Sequence, residues 1–121
     1  MSKRDPGILL DDIRAAIGKI DRYTTGLDKR AFLGDDKTID AVVRNLEIVG
    51  EAAKQLPVEF RRQHSAIPWS KIAGLRNRIV HDYAGIDLEL VWNILKQRYR
   101  SSRFKSASSS NFAIIVTTFR P

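Results

Sequence analysis

Asp35-Asp36-Lys37-Thr38-Ile39-Asp40-Ala41-Val42-Val43-Arg44-Asn45-Leu46-Glu47-Ile48-Val49-Gly50-Glu51-Ala52-Ala53-Lys54-Gln55-Leu56-Pro57 is the stretch on which the fold turns. Its apolar residues Ile39, Val42, Val43, Leu46, Val49, Ala53 and Leu56 recur mainly at intervals of three and four, the period of a helix with one buried face. Asp35 or Asp36 supplies the N-cap and Pro57 ends the helix. Gly50, Ala52 and Ala53 suggest either the close approach of another helix or only local packing.

Working outward toward the N-terminus, Leu9, Leu10, Ile13, Ile17 and Ile20 mark an amphipathic helix from about Pro6 to Tyr23. Asp5 caps it, Pro6 takes its first position, and Thr24, Thr25 and Gly26 stop it. A short helix from Lys29 to Leu33 follows. On the other side, Pro57 to Gln63 forms a short helical turn. Pro68-Trp69-Ser70 starts a helix running through Ile72, Leu75, Ile79 and Val80, which Gly85 ends. A last helix begins near Asp87 and carries Leu88, Val91, Trp92, Leu95 and Tyr99 toward Arg100. No stretch before residue 100 alternates with period two, so the expected fold class is all-α, a bundle of four or five helices joined by short loops.

The expected division is a helical domain over 1–100 and a basic, Ser-rich tail over 101–121, mobile rather than part of the bundle. The apolar run 112–116 within that tail has no place in the scheme. At 121 residues the chain has the size of one domain with one core. It has no cysteine, which excludes a disulfide framework, a thiolate metal site and a catalytic thiol, and fits a cytoplasmic setting. The short run Ile8, Leu9, Leu10 is broken by Asp11 and Asp12, so neither a signal peptide nor a membrane span is expected. Charge is uneven. Residues 1–60 carry ten basic and eleven acidic side chains, residues 61–121 eleven basic and three acidic. Such an excess suits a polyanionic partner, nucleic acid before membrane; a solubility tail would look the same.

For chemistry, several machines are absent. The chain has no Gly-rich phosphate loop, and its two histidines, His64 and His81, are too few and too far apart for a histidine metal site. The carboxylate pairs Asp11-Asp12 and Asp35-Asp36 fall near helix starts, where acids are favoured, and are read as caps. The informative run is Gly74-Leu75-Arg76-Asn77-Arg78-Ile79-Val80-His81-Asp82-Tyr83. These polar groups sit together in one helix between core positions; at roughly 100° per residue Asn77 and His81 lie about 40° apart on one face and Arg76 about 140° from His81. Arg76 must then curl round or meet a second copy. Arginine offers a planar fork of donors to a phosphodiester, and histidine moves protons near neutral pH. Together they can cleave RNA without metal: a 2′-OH attacks the adjacent phosphorus, His81 acts as general base or acid, Arg76 stabilises charge on phosphate, and Asn77 orients His81 or holds ribose. Arg78, Arg103 and Lys105 are the expected RNA-backbone contacts. On the residues alone a blander account stays open, with Arg76 and Arg78 solvated, His81 satisfied near a helix end, and Tyr83 a core cap.

Two separated blocks carry a resemblance. Arg44-Asn45-Leu46-Glu47-Ile48-Val49-Gly50-Glu51-Ala52, with Pro68-Trp69, Ile72, Gly74-Leu75-Arg76-Asn77, Val80-His81 and Asp82-Tyr83, resembles the HepT-like branch of the HEPN superfamily over about 8–95. That family shows an Arg, four residues, a His, one residue and a Tyr, and Arg76, His81 and Tyr83 match all three. The resemblance implies a HEPN-type bundle, a homodimer, and an RNase toxin of a type VII toxin–antitoxin module that needs no cofactor. It implies that Arg and His of both protomers line a shared cleft, which answers the angular difficulty above. It also implies a partner, an MntA-like nucleotidyltransferase antitoxin that uses ATP and magnesium to transfer AMP onto Tyr83. Beyond Leu95 the chain departs from the family's amphipathic last helix. The rival expectations are a non-catalytic HEPN module that docks a nucleotidyltransferase or binds nucleotide or RNA, and a structural bundle with a nucleic-acid-binding tail.

Overall fold

Helix formation along this chain is punctuated by aspartates. In the computed structural model, which describes residues 5–81 and 85–103, Asp5 caps α1 (Pro6–Thr24) by accepting from the Gly7 N–H at 3.1 Å. Asp28 does the same for α2 (Lys29–Leu33) through Ala31, and Asp35 for α3 (Asp36–Gln55) through Thr38. Each such acceptor satisfies a backbone donor that the first turn leaves without a partner. Asp35 is thus a cap as expected. Asp11 and Asp12 are not: they sit in the second turn of α1, where Asp11 pairs with Arg14 at 3.2 Å.

Helices α4 (Val58–Gln63), α5 (Trp69–Ala73) and α6 (Leu75–Ile79) follow, and α7 (Leu88–Arg103) closes the described chain. Asp87 accepts from the Leu90 N–H at its start. The fold is mostly helical, as the apolar period predicts. The core is built chiefly between α1 and α3, with α5 and α6 packed on α3 and α7 reaching α2 and α6. Leu9, Ile13, Ile17 and Ile20 face Val42, Leu46, Val49 and Ala53 within one cluster, to which Phe32, Ile72, Leu75, Ile79, Val91 and Leu95 belong. Burying a side chain of this size is worth about 1.5–3 kcal/mol, so the α1–α3 seam is the main source of stability.

Two details differ from the sequence expectation. The helix expected from Pro68 past Val80 is broken at Gly74, which sits at φ −90°, ψ 7° as the last cap of α5 and the first of α6. Glycine is the poorest helix former after proline, and here the helix restarts. The second helix then ends at Ile79 rather than at Gly85. Val80 and His81 form a two-residue strand, β1, antiparallel to β2 (Gly85–Ile86), with Val80 opposite Ile86 and His81 opposite Gly85. Gly85 takes φ +82°, a conformation open to glycine, and the Asp87 N–H donates to the Ile79 carbonyl at 2.7 Å. This pairing satisfies backbone groups that the helix end would leave bare.

Candidate functional site

The close contact that places the site is between α3 and α5. A Cβ added to Gly50 would lie 3.0 Å from the Ile72 carbonyl oxygen and 3.6 Å from that of Ala73. Glycine lets the two backbones approach this closely without the shift that a side chain would force. Of the two readings left open for Gly50, close approach by another helix is the one the structure shows. Beside this contact, α3, the start of α1 and the α5–α6 segment enclose an open groove of about 440 Å³.

Leu9, Ile48, Ala52 and Ala73 give the groove apolar lining. Its charged rim comes largely from α3, with Arg44, Glu47, Glu51 and Lys54, joined by Asp12 of α1 and by Arg76 of α6. Positions 44, 47, 51 and 54 are spaced by three and four and so share one face of α3. That signal was available in the sequence, opposite the apolar stripe, but reading the helix for its buried face passes over it. Within the rim Arg76 Nε lies 3.7 Å from Glu47 Oε2, and Lys54 Nζ lies 3.8 Å from Glu51 Oε2.

Of the residues singled out from the sequence, Arg76 and Asn77 line the groove together, both exposed at their side chains. Arg78, also exposed, is not among the lining residues. His81 is on β1, beyond the end of α6, so the helical angle between it and Arg76 does not apply; the turn from helix to strand sets their relation instead. Arg103 is the last residue of α7, three positions beyond the expected end of the helical segment. Tyr83 and Lys105 lie outside the described residues. No described helix is long and apolar enough to cross a membrane.

This arrangement can do two things. A half-exposed guanidinium at the edge of an open groove can take a phosphodiester through its donor fork, and the amide beside it can add a donor or acceptor toward a sugar or base. The acids opposite would weaken nonspecific attraction of polyanions and limit where a phosphate sits.

Comparison with known proteins points the same way. The model of the family described as Ribonuclease HepT-like matches residues 13–107. A Thermococcus cleftensis protein named "Probable ribonuclease HepT" is 40% identical over 103 residues, covering 85% of this chain and 94% of its own. A Methanocaldococcus jannaschii protein, named as a candidate RNase, is 39% identical over 95 residues, or 78% of each chain. Another candidate RNase, from Caldanaerobacter subterraneus subsp. tengcongensis, is 45% identical over 73 residues, covering 60% of this chain and 65% of its own. No solved structure gives a significant match.

Proposed function

This chain belongs to the HepT-like ribonuclease family, and from that premise we propose that it is a metal-independent endoribonuclease, the toxin of a type VII toxin–antitoxin module, acting as a homodimer. The observation that carries the reading is Arg76 with Asn77 on the rim of an open groove, one short segment before His81. In the reaction the RNA 2′-oxygen forms a bond to the adjacent phosphorus and the bond to the 5′-oxygen breaks. The products are a 2′,3′-cyclic phosphate and a free 5′-hydroxyl. One proton must leave the 2′-hydroxyl and one must reach the 5′-oxygen. Two copies of His81, one from each protomer, divide these tasks as base and acid, while Arg76 holds the charge that grows on the phosphate oxygens. Asn77 orients His81 or the ribose.

Control falls to Tyr83, two residues beyond His81 in sequence. We assign it as the acceptor for AMP from an MntA-like nucleotidyltransferase antitoxin. Each AMP brings bulk and a phosphodiester charge that pairs with Arg76 and repels RNA. Arg78, Arg103 and Lys105 add phosphate contacts, the last two at and beyond the end of α7, and the basic segment over 101–121 serves affinity rather than chemistry.

The test is cleavage of RNA by the purified protein in excess chelator, with the product ends identified and the particle mass measured. Cyclic phosphate and 5′-hydroxyl ends from a dimer are expected. His81→Ala and Arg76→Ala should each cut the rate by on the order of a hundredfold with helical circular dichroism unchanged. A folded protein that binds RNA or nucleotide and never cleaves it would instead establish the non-catalytic module.

A further inference from the structure

Within the groove one acid, Glu47, forms an ion pair with the motif arginine. We propose that Glu47 is a positioning residue for Arg76, fixing which edge of the guanidinium is offered to the scissile phosphate; the inference rests on the ribonuclease reading above.

Glu47 Oε2 lies 3.7 Å from Arg76 Nε, too far for a hydrogen bond and within ion-pair range. A guanidinium has two forked edges, one made by Nε with a terminal nitrogen and one made by the two terminal nitrogens. A carboxylate beside Nε occupies the first and leaves the terminal pair for a phosphate. The two side chains are also carried on backbones held in register. Glu47 stands one helical turn before Gly50, whose missing side chain lets α3 meet the Ile72 carbonyl, and Arg76 follows Gly74 by two residues.

Stability does not explain the pair. With the Arg76 side chain 58% exposed and that of Glu47 33% exposed, solvent screens most of their attraction. A carboxylate in an RNA groove also opposes binding. Its presence next to the motif arginine is accounted for if orientation of the fork is worth more to the reaction than the affinity lost.

That trade gives a distinctive signature. Glu47→Ala should lower the single-turnover rate at saturating RNA by about tenfold, because a misdirected group loses its contribution to the transition state. RNA affinity should rise by roughly two- to fivefold as the opposing charge goes. Glu47→Gln, which keeps the side chain's volume and a dipolar oxygen beside Nε but loses the charge, should recover part of the rate and serves if the alanine variant folds poorly. In an Arg76→Ala background, followed over long times, Glu47→Ala should cost nothing further, since a positioning residue acts only through its partner. An equal rate loss in both backgrounds, or none in either, overturns the assignment of Glu47 while leaving the ribonuclease reading intact. No cleavage by the folded wild-type dimer overturns both.

Discussion

At the scale of single residues, one side chain tests the proposed control and another reports on folding. Tyr83 has a phenolic oxygen that AMP transfer requires and RNA cleavage does not. On the proposed reading Tyr83→Phe should remain toxic and escape silencing when co-expressed with the proposed nucleotidyltransferase antitoxin; growth and intact mass together decide it. Silencing without a mass change would mean that the antitoxin acts by covering the cleft. Asp35 is a different case. The Thr38 hydroxyl donates to its carboxylate at 2.7 Å and the Thr38 N–H at 3.1 Å, and these bonds hold its pKa below the ordinary aspartate value. A carboxylate depressed in the folded state contributes stability that is present above its unfolded pKa and is lost as the pH falls through the folded one. Asp35→Asn keeps a capping oxygen and removes the titration. The melting temperatures of wild type and variant should differ at pH 7 and converge as the pH drops below the usual aspartate range. A gap that stays constant to pH 2.5 would show that the charge is immaterial.

Among the elements, the α3–α5 contact and the middle of α1 make opposite predictions for the same change. Alanine is favoured over glycine in a helix by about 1 kcal/mol. At Gly18 in α1 the added methyl would meet only the Arg22 Nη1 at 3.7 Å, so Gly18→Ala should raise stability by up to that amount. Gly50→Ala gains the same propensity but drives a Cβ to 3.0 Å from a backbone carbonyl, which cannot rotate away. Denaturant melts should show Gly50→Ala less stable than wild type, with the α3–α5 spacing and hence the Arg76 rate disturbed. Equal gains at both sites would mean that α5 slides aside freely. The break at Gly74 and the β1–β2 pair belong to this scale too. The short helix ends at Ile79 and the strand starts at Val80, two adjacent β-branched residues, so apolar period alone does not place the boundary between them.

For the whole molecule, the positive charge is concentrated in the second half, and part of it lies beyond α7. Truncation after Arg103 removes Lys105 and Arg120 while sparing the helix that the structure describes. RNA binding should weaken and its dependence on salt become shallower by up to about two phosphate contacts, with cleavage at saturating RNA preserved. Loss of the folded protein on truncation would make the segment structural instead. The sequence by itself determined the long helices and offered the candidate residues for chemistry: the stripe from Ile39 to Leu56 and the aspartates at 5 and 35 act through spacing and local backbone bonding, which are properties of a chain segment. Arg76 and Asn77 were legible for the same reason, as polar groups set between the core positions Leu75 and Ile79. Only the tertiary structure decided that Glu47 would face Arg76 and that Arg44, Glu51 and Lys54 would rim a groove, because those neighbours are chosen by how closely α3 and α5 pack at Gly50. It also took His81 off the helix: the pairing with Gly85 is a tight antiparallel turn set by backbone bonding and the positive φ of Gly85, which the spacing of apolar residues does not encode.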